Sequence, residues 1–230
     1  MQTEKMLVRT EAVYSDDRTR RYLLHREWDV KKPKALIIMT NPSTAGTIAL
    51  DFTTMYILNN ITALGYGSVT TANLVSKITL RLSVKDDIEA EDENFDQIVK
   101  AAQKADKVII AWGRIGETSV KVRAVQDKLL ARLEPFKEKL CEIGNESGES
   151  GFHPLAPQIR SHWILNPYEI PEPIASKEEK QPKPKVKRKS KSQEAKAADT
   201  DDPCKSEQDR SIPSVPDNIT DQQPQKEAAK

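Results

Sequence analysis

Three short apolar runs, each followed by a helical pattern, constrain this chain more than any other feature. They are "ALIIM" at 35–39, "SVTTANLV" at 68–75 and "KVIIAWG" at 107–113. Each is too short for a buried helix and rich in β-branched residues, so each reads as a central strand. The segments that follow are "LDFTTMYILNNITALG", ended by Gly65, then "ENFDQIVKAAQKA", then the long amphipathic "TSVKVRAVQDKLLARLEPFKEKL". Repeated strand-helix alternation with continuous apolar strands predicts a three-layer α/β/α domain with a mostly parallel central sheet. "RRYLLHREW" at 20–28 alternates as a half-exposed edge strand does, and "LCEIG" at 140–144 predicts one more short strand.

That domain is expected to end near residue 170. From residue 171 onward Pro, Lys, Ser, Glu and Gln dominate, and no periodicity survives, so residues 171–230 are expected to be a disordered charged tail. Within it the basic run "KPKVKRKSK" at 183–191 could bind polyanions, or could be solvated charge alone. The tail holds 13 basic and 12 acidic residues, which leaves 23 of each for residues 1–170. A balanced folded part does not look like a domain built to coat DNA. No apolar run reaches membrane-spanning length and no secretory leader is apparent, so no membrane partner and a cytoplasmic location are expected. Cys141 and Cys204 are too few and too far apart for a disulfide framework or a cluster.

In an open parallel sheet, ligands bind outside the carboxyl ends of the strands. The segments leaving those ends are "TNPSTAG" (40–46), "NLVSKIT" (73–79), "WGRIGE" (112–117) and "GFHPLAP" (151–157). They carry Asn41, Ser43, Thr44, Asn73, Trp112, Gly113, Arg114, His153 and Leu155, with Arg160 just beyond. Each has a plainer reading too. Asn-Pro followed by Ser-Thr turns a chain out of a strand, Asn73 suits a buried amide, and His153 suits an exposed loop. Asp51 fits either a general base or the N-cap of the following helix. The glycines of "AWGRIGE" do not make a dinucleotide fingerprint, and His25 and His162 have no metal-ligand spacing. No cofactor and no metal are expected.

The series "RRYLLHREW", "IIMTNPSTAG", "DFTT", "LGYGSVTTANLVSKI", "VIIAWG" and "FHPL" resembles an uncharacterised family of bacteria and phages, catalogued as domain of unknown function 1643, over about residues 12–166. More distantly, "IIMTNPSTAG" is similar to the first motif of the uracil-DNA glycosylase superfamily, notably its mismatch-specific branch. "LGYGSVTTANLVSKIT" is similar to that branch's second-strand segment, and "GFHPLAP" resembles the His-Pro-Ser-Pro-Leu motif. Ser43 stands where that motif has Gly, Ile78 where Arg-Pro-Thr has Pro, and "HPLA" lacks the intervening Ser-Pro. The resemblance implies a metal-independent N-glycosylase. In it Asn41 would position water, Asn73 would read the base with Ser43 and Thr44 beside it, and His153 would stabilise the departing base.

The chemistry asks for such groups. Breaking an N-glycosidic bond needs a donor aimed at the departing base, a positioned water and a snug pocket. Trp112, Gly113 and Arg114 would form the pocket rim, while Leu155 and Arg160 would contact nucleic acid. Three function classes follow: an enzyme or binder for a nucleobase in nucleic acid, one for a free nucleoside or nucleotide, and an idle interaction protein.

Overall fold

In the computed structural model, residues 1–43, 45–79 and 90–171 are described. Seven strands and four α-helices follow in the order β1 (Arg9–Tyr14), β2 (Arg21–Glu27), β3 (Lys34–Met39), α1 (Phe52–Ala63), β4 (Ser68–Asn73), α2 (Asp92–Lys104), β5 (Lys107–Ile110), α3 (Ile115–Thr118), α4 (Val120–Leu133), β6 (Leu140–Gly144) and β7 (Ile164–Pro167). The strands form one sheet in the order β1-β2-β4-β3-β5-β6-β7. The three apolar runs are therefore neighbours at its centre, as expected.

The sheet is mixed, which corrects the expectation of a mostly parallel one. β4-β3, β3-β5 and β5-β6 pair in parallel, whereas β1-β2, β2-β4 and β6-β7 pair antiparallel. The reason lies in the connections. Parallel neighbours need a crossover, and α1, α2 and α3–α4 supply the three. β1 and β2 are instead joined by a tight turn in which the Ser15 carbonyl accepts from the Arg18 N–H and Arg18 takes a positive φ of 57°. A second correction follows, because β1 covers β2 on its outer side. "RRYLLHREW" is an inner strand in which Arg21 and Arg26 are 4% and 3% exposed, not a half-exposed edge.

Two cores flank the sheet. Leu36, Ile38, Val108 and Ile110 pack under Phe95 and Ile98 of α2 and Val125 and Leu129 of α4. The alternate residues Ile37, Met39, Val69 and Ile109 pack under Ile57 and Ile61 of α1, with Trp163 and Ile159 closing that layer. Period-2 burial on both faces is what makes these strands read as unbroken apolar runs, and it realises the three layers.

Local chemistry sets the ends of the helices. Asp51 caps α1, its Oδ1 accepting from the Thr54 N–H at 2.7 Å. Gly65, at φ 85°, closes the same helix with paired bonds, Gly65 N–H to the Thr62 carbonyl and Tyr66 N–H to the Ile61 carbonyl. The long helix expected over 118–140 is broken at both ends. Ser119 leaves helical geometry to cap α4, and the chain after Leu133 tightens into a 3-10 segment with Pro135 in its first turn. Proline has no N–H to continue the α ladder and disfavours α geometry in the residue before it. Thr44 and the tail from residue 172 lie outside the described residues.

Candidate functional site at the carboxyl edge of the sheet

β3 leads to α1 on one face, and β5 leads to α3 and α4 on the other. Their carboxyl ends therefore flank the place where an open sheet forms a crevice. The two are stitched there by the Ala111 N–H to the Ile38 carbonyl at 2.8 Å and the Thr40 Oγ1 to the Trp112 carbonyl at 3.2 Å. Gly113, at φ 68°, turns the chain away, and a Cβ added to it would stand 3.2 Å from the His153 Cβ. A glycine is needed twice over, for the backbone angle and for the approach of the 151–156 loop.

His153 is half-buried and its Nδ1 accepts from the Leu155 N–H at 3.2 Å. A backbone N–H can only donate, so the neutral imidazole carries its proton on Nε2. Burial holds this imidazole below its ordinary value, against the opposing field of the Asp51 carboxylate. Burial alone would push the Asp51 carboxyl up, but hydrogen bonds from Thr54 and Ser43 outweigh it and hold it below the usual carboxylate range. Asp51 is thus ionised, is the N-cap of α1, and is electrostatically coupled to His153. Ser43 is tied into the same group through Asp51, and its hydroxyl also accepts from the Ala45 N–H at 3.3 Å.

The two asparagines serve different neighbours. Asn41 Nδ2 donates to the carbonyl and the hydroxyl of Thr79 at 3.1 and 3.3 Å, so its amide ties the turn after β3 to the segment after β4. Asn73 is 2% exposed, and its Oδ1 has no partner among the described residues. Strand alternation puts Asn73 on the side of Val69, the α1 layer. The Asn73 backbone carbonyl accepts from Asn94 Nδ2 at 2.9 Å.

Trp112 is buried in the core beneath α2 and α4. Gly113 and Arg114 line two cavities. One, of about 330 Å³, includes Gly151, Phe152 and His153, and the other, of about 290 Å³, includes Trp112, Arg123, Glu142 and Tyr168. Leu155 is 39% exposed, and Arg160 reaches it by donating from Nε to its carbonyl at 3.1 Å. The Arg160 guanidinium also lies 5.8 Å from the centre of the Tyr56 ring.

Sequence reasoning missed Arg21 and Arg26. Both reach from β2 under the turn after β3, Arg21 donating to the Ala45 carbonyl and Arg26 to the Gly46 carbonyl at 2.8 Å. The signal was present as two arginines flanking the apolar Tyr22, Leu23 and Leu24 of one strand, but an edge-strand reading sends such side chains into water.

Among the described residues no group of three or more His, Cys, Asp or Glu could hold a metal ion, and no helix is long and apolar enough to cross a membrane. No curated protein and no solved structure matches the chain. The profile of a family described as "Protein of unknown function (DUF1643)" matches residues 21–155, more than half of the sequence, and the chain belongs to that family.

Proposed function

We propose that this protein is a uracil-DNA-glycosylase-like hydrolase that breaks the N-glycosidic bond of a nucleobase in nucleic acid. The observation that carries the reading is His153. Its Nδ1 is engaged by the Leu155 N–H, so Nε2–H is the available donor, and burial keeps the ring neutral. In the reaction a water oxygen bonds to C1′ of the sugar, and the proton that the water loses ends, through solvent, on the departed base. The C1′–N bond breaks, and its electron pair leaves with the base. A neutral donor aimed at a base carbonyl stabilises that departing charge without surrendering its proton.

The remaining roles are assigned to groups on the other loops at the same edge of the sheet. With Asn41 Nδ2 committed to Thr79, the rest of the amide is the Oδ1 acceptor, the atom a water-orienting role requires. Ionised Asp51 favours positive charge developing on the sugar. The unpartnered Oδ1 of Asn73 would accept an N–H of the base edge, with Ser43 and Thr44 beside it. Leu155, 39% exposed, and Arg160, bonded to its carbonyl, would offer an apolar and a cationic group to a nucleic-acid strand.

A second reading, action on a free nucleoside or nucleotide, is favoured by the equal count of acidic and basic residues in 1–170. The test is release of free base, followed by chromatography, from oligonucleotides carrying uracil, mismatched or modified bases and from the matching free nucleosides. Release from an oligonucleotide supports the proposal. Release from nucleosides alone moves the substrate to the second reading. No release from either makes the protein an interaction module whose polar groups only hold loops.

A further inference from the structure

The cavity of about 290 Å³ beside Gly113 and Arg114 lies on the α4 side of the sheet, at the carboxyl ends of β5 and β6. Arg123, Gln126 and Leu130 line it from α4, where spacings of three and four residues put them on one stripe. Gln126 is 5% exposed, and its side-chain amide makes no hydrogen bond among the described residues. An amide buried that deeply is ordinarily paired. Gly116 makes room for it, because a Cβ added there would collide with Gln126 Oε1.

Glu142 is the second unusual group. On β6 it follows Leu140 by two residues, so a carboxylate stands on the face where Leu140 packs into the core. It forms no ion pair among the described residues, and its side-chain partner there is the Ser150 Oγ, which donates to Oε1 at 2.5 Å. Oε2 therefore keeps its acceptor capacity. The Arg123 guanidinium and the Tyr168 hydroxyl line the same cavity, and neither has a hydrogen-bond partner among the described residues. Burial, and then the Glu142 charge, push the phenol up to about 12, so it stays protonated and able to donate.

We propose that this cavity binds a guanine base, the Glu142 carboxylate accepting from its N1–H and exocyclic amine while Gln126 and Arg123 donate to O6 and N7. The unused donors and acceptors select the ligand. A carboxylate calls for N–H groups side by side, and an amide and a guanidinium call for acceptors next to them. Among the common bases guanine alone sets two N–H groups beside a carbonyl, whereas uracil and thymine flank one N–H with carbonyls that a carboxylate repels. The volume is at the small end of ligand sites, which span about 300–1,000 Å³, and suits a base better than a larger cofactor. Trp112 and Tyr168 add aromatic surface to the lining, the kind on which bases stack. The inference goes beyond the hydrolase reading and does not rest on it, since Arg123, Gln126, Glu142 and Tyr168 have no role there.

The test is calorimetry of the full chain with nucleoside 5′-monophosphates, whose shared phosphate leaves the base as the variable. Guanosine monophosphate is expected to bind about tenfold or more tightly than the adenosine and cytidine monophosphates. Inosine monophosphate, which lacks only the exocyclic amine, should lose about tenfold, as an unmade hydrogen bond to a carboxylate requires. Gln126→Leu and Glu142→Gln are expected to abolish the preference for guanine. Should either variant not fold, the inosine comparison on wild type decides. Oligothymidylate with and without one central guanine separates the sources of the base. Tighter binding of the guanine-bearing strand than of the monophosphate assigns the site to guanine in nucleic acid, and a preference confined to the monophosphates assigns it to a free nucleotide; either result upholds the site. Equal affinity for all bases overturns the proposal, as does a preference for adenine or cytosine, or equal binding of the guanosine and inosine monophosphates. So does a guanine preference that survives in both variants, or no binding of any probe.

Discussion

Replacing Gly113 with alanine tests whether the 151–156 loop is seated as described. The substitution has two separable costs. At φ 68° an alanine must adopt the left-handed region, which costs roughly 1–2 kcal/mol. Its Cβ would also stand 3.2 Å from the His153 Cβ and 3.7 Å from the His153 backbone nitrogen, so the loop must give by a few tenths of an ångström. Crowding of that kind adds about 1–3 kcal/mol. Gly65 supplies the control, because it sits at φ 85° with nothing within 4 Å of its Cβ position and incurs the backbone cost alone. Urea denaturation should therefore rank Gly113→Ala as more destabilising than Gly65→Ala by about 1 kcal/mol or more. The corresponding extra loss in Tm would be about 2–4 °C per kcal/mol for a domain of this size. Equal destabilisation by the two variants would refute the packing of His153 on Gly113, and with it the placement of the proposed donor.

Other expectations follow from individual groups. Because burial lowers the His153 pKa in the fold, the unfolded chain binds more protons below about pH 6.5, so stability should fall as pH drops through that window; His153→Gln should flatten the slope relative to wild type, and an unchanged slope would contradict it. Asp51→Asn keeps a good helix cap and should change stability by less than about 1 kcal/mol, while Asp51→Ala should lose about that much. If the Asp51 charge serves the reaction, both variants should lose activity alike, and full activity in Asp51→Asn would remove that role. The Cys141 thiol, pushed up to about 11 by burial, should resist iodoacetamide at pH 8 in the native protein and react in denaturant, as peptide mass spectrometry would show.

The centre of the sheet was legible because continuous apolar runs can only be strands buried on both faces. The helix boundaries at Asp51 and Gly65 were equally readable, since their capping chemistry is local. What the sequence hid was non-local. "RTEAVY" and "ILNP" carry no pattern strong enough to announce β1 and β7, and it is their antiparallel pairing that makes the sheet mixed. The burial of Arg21 and Arg26 depends on the turn after β3 lying over them, which no window along β2 can reveal. Pro135, by contrast, was visible, and it stopped the long helix despite amphipathic periodicity on both sides. In the site, the segments leaving parallel strands were identified by position alone. That Asn41 turns to Thr79, and that the field of Asp51 reaches His153, depends on how those segments pack.

The proposed reaction assigns neutral His153 and Asn41 to the cleavage of an N-glycosidic bond. The most direct test is single-turnover release of free base, with protein in excess over an oligonucleotide found to be a substrate, compared among wild type, Asn41→Ala and His153→Ala, with binding of the same oligonucleotide measured alongside. Loss of a positioned water or of the leaving-group donor should lower the rate by about two orders of magnitude or more while binding stays within about threefold. Release at the wild-type rate in both variants would contradict the account.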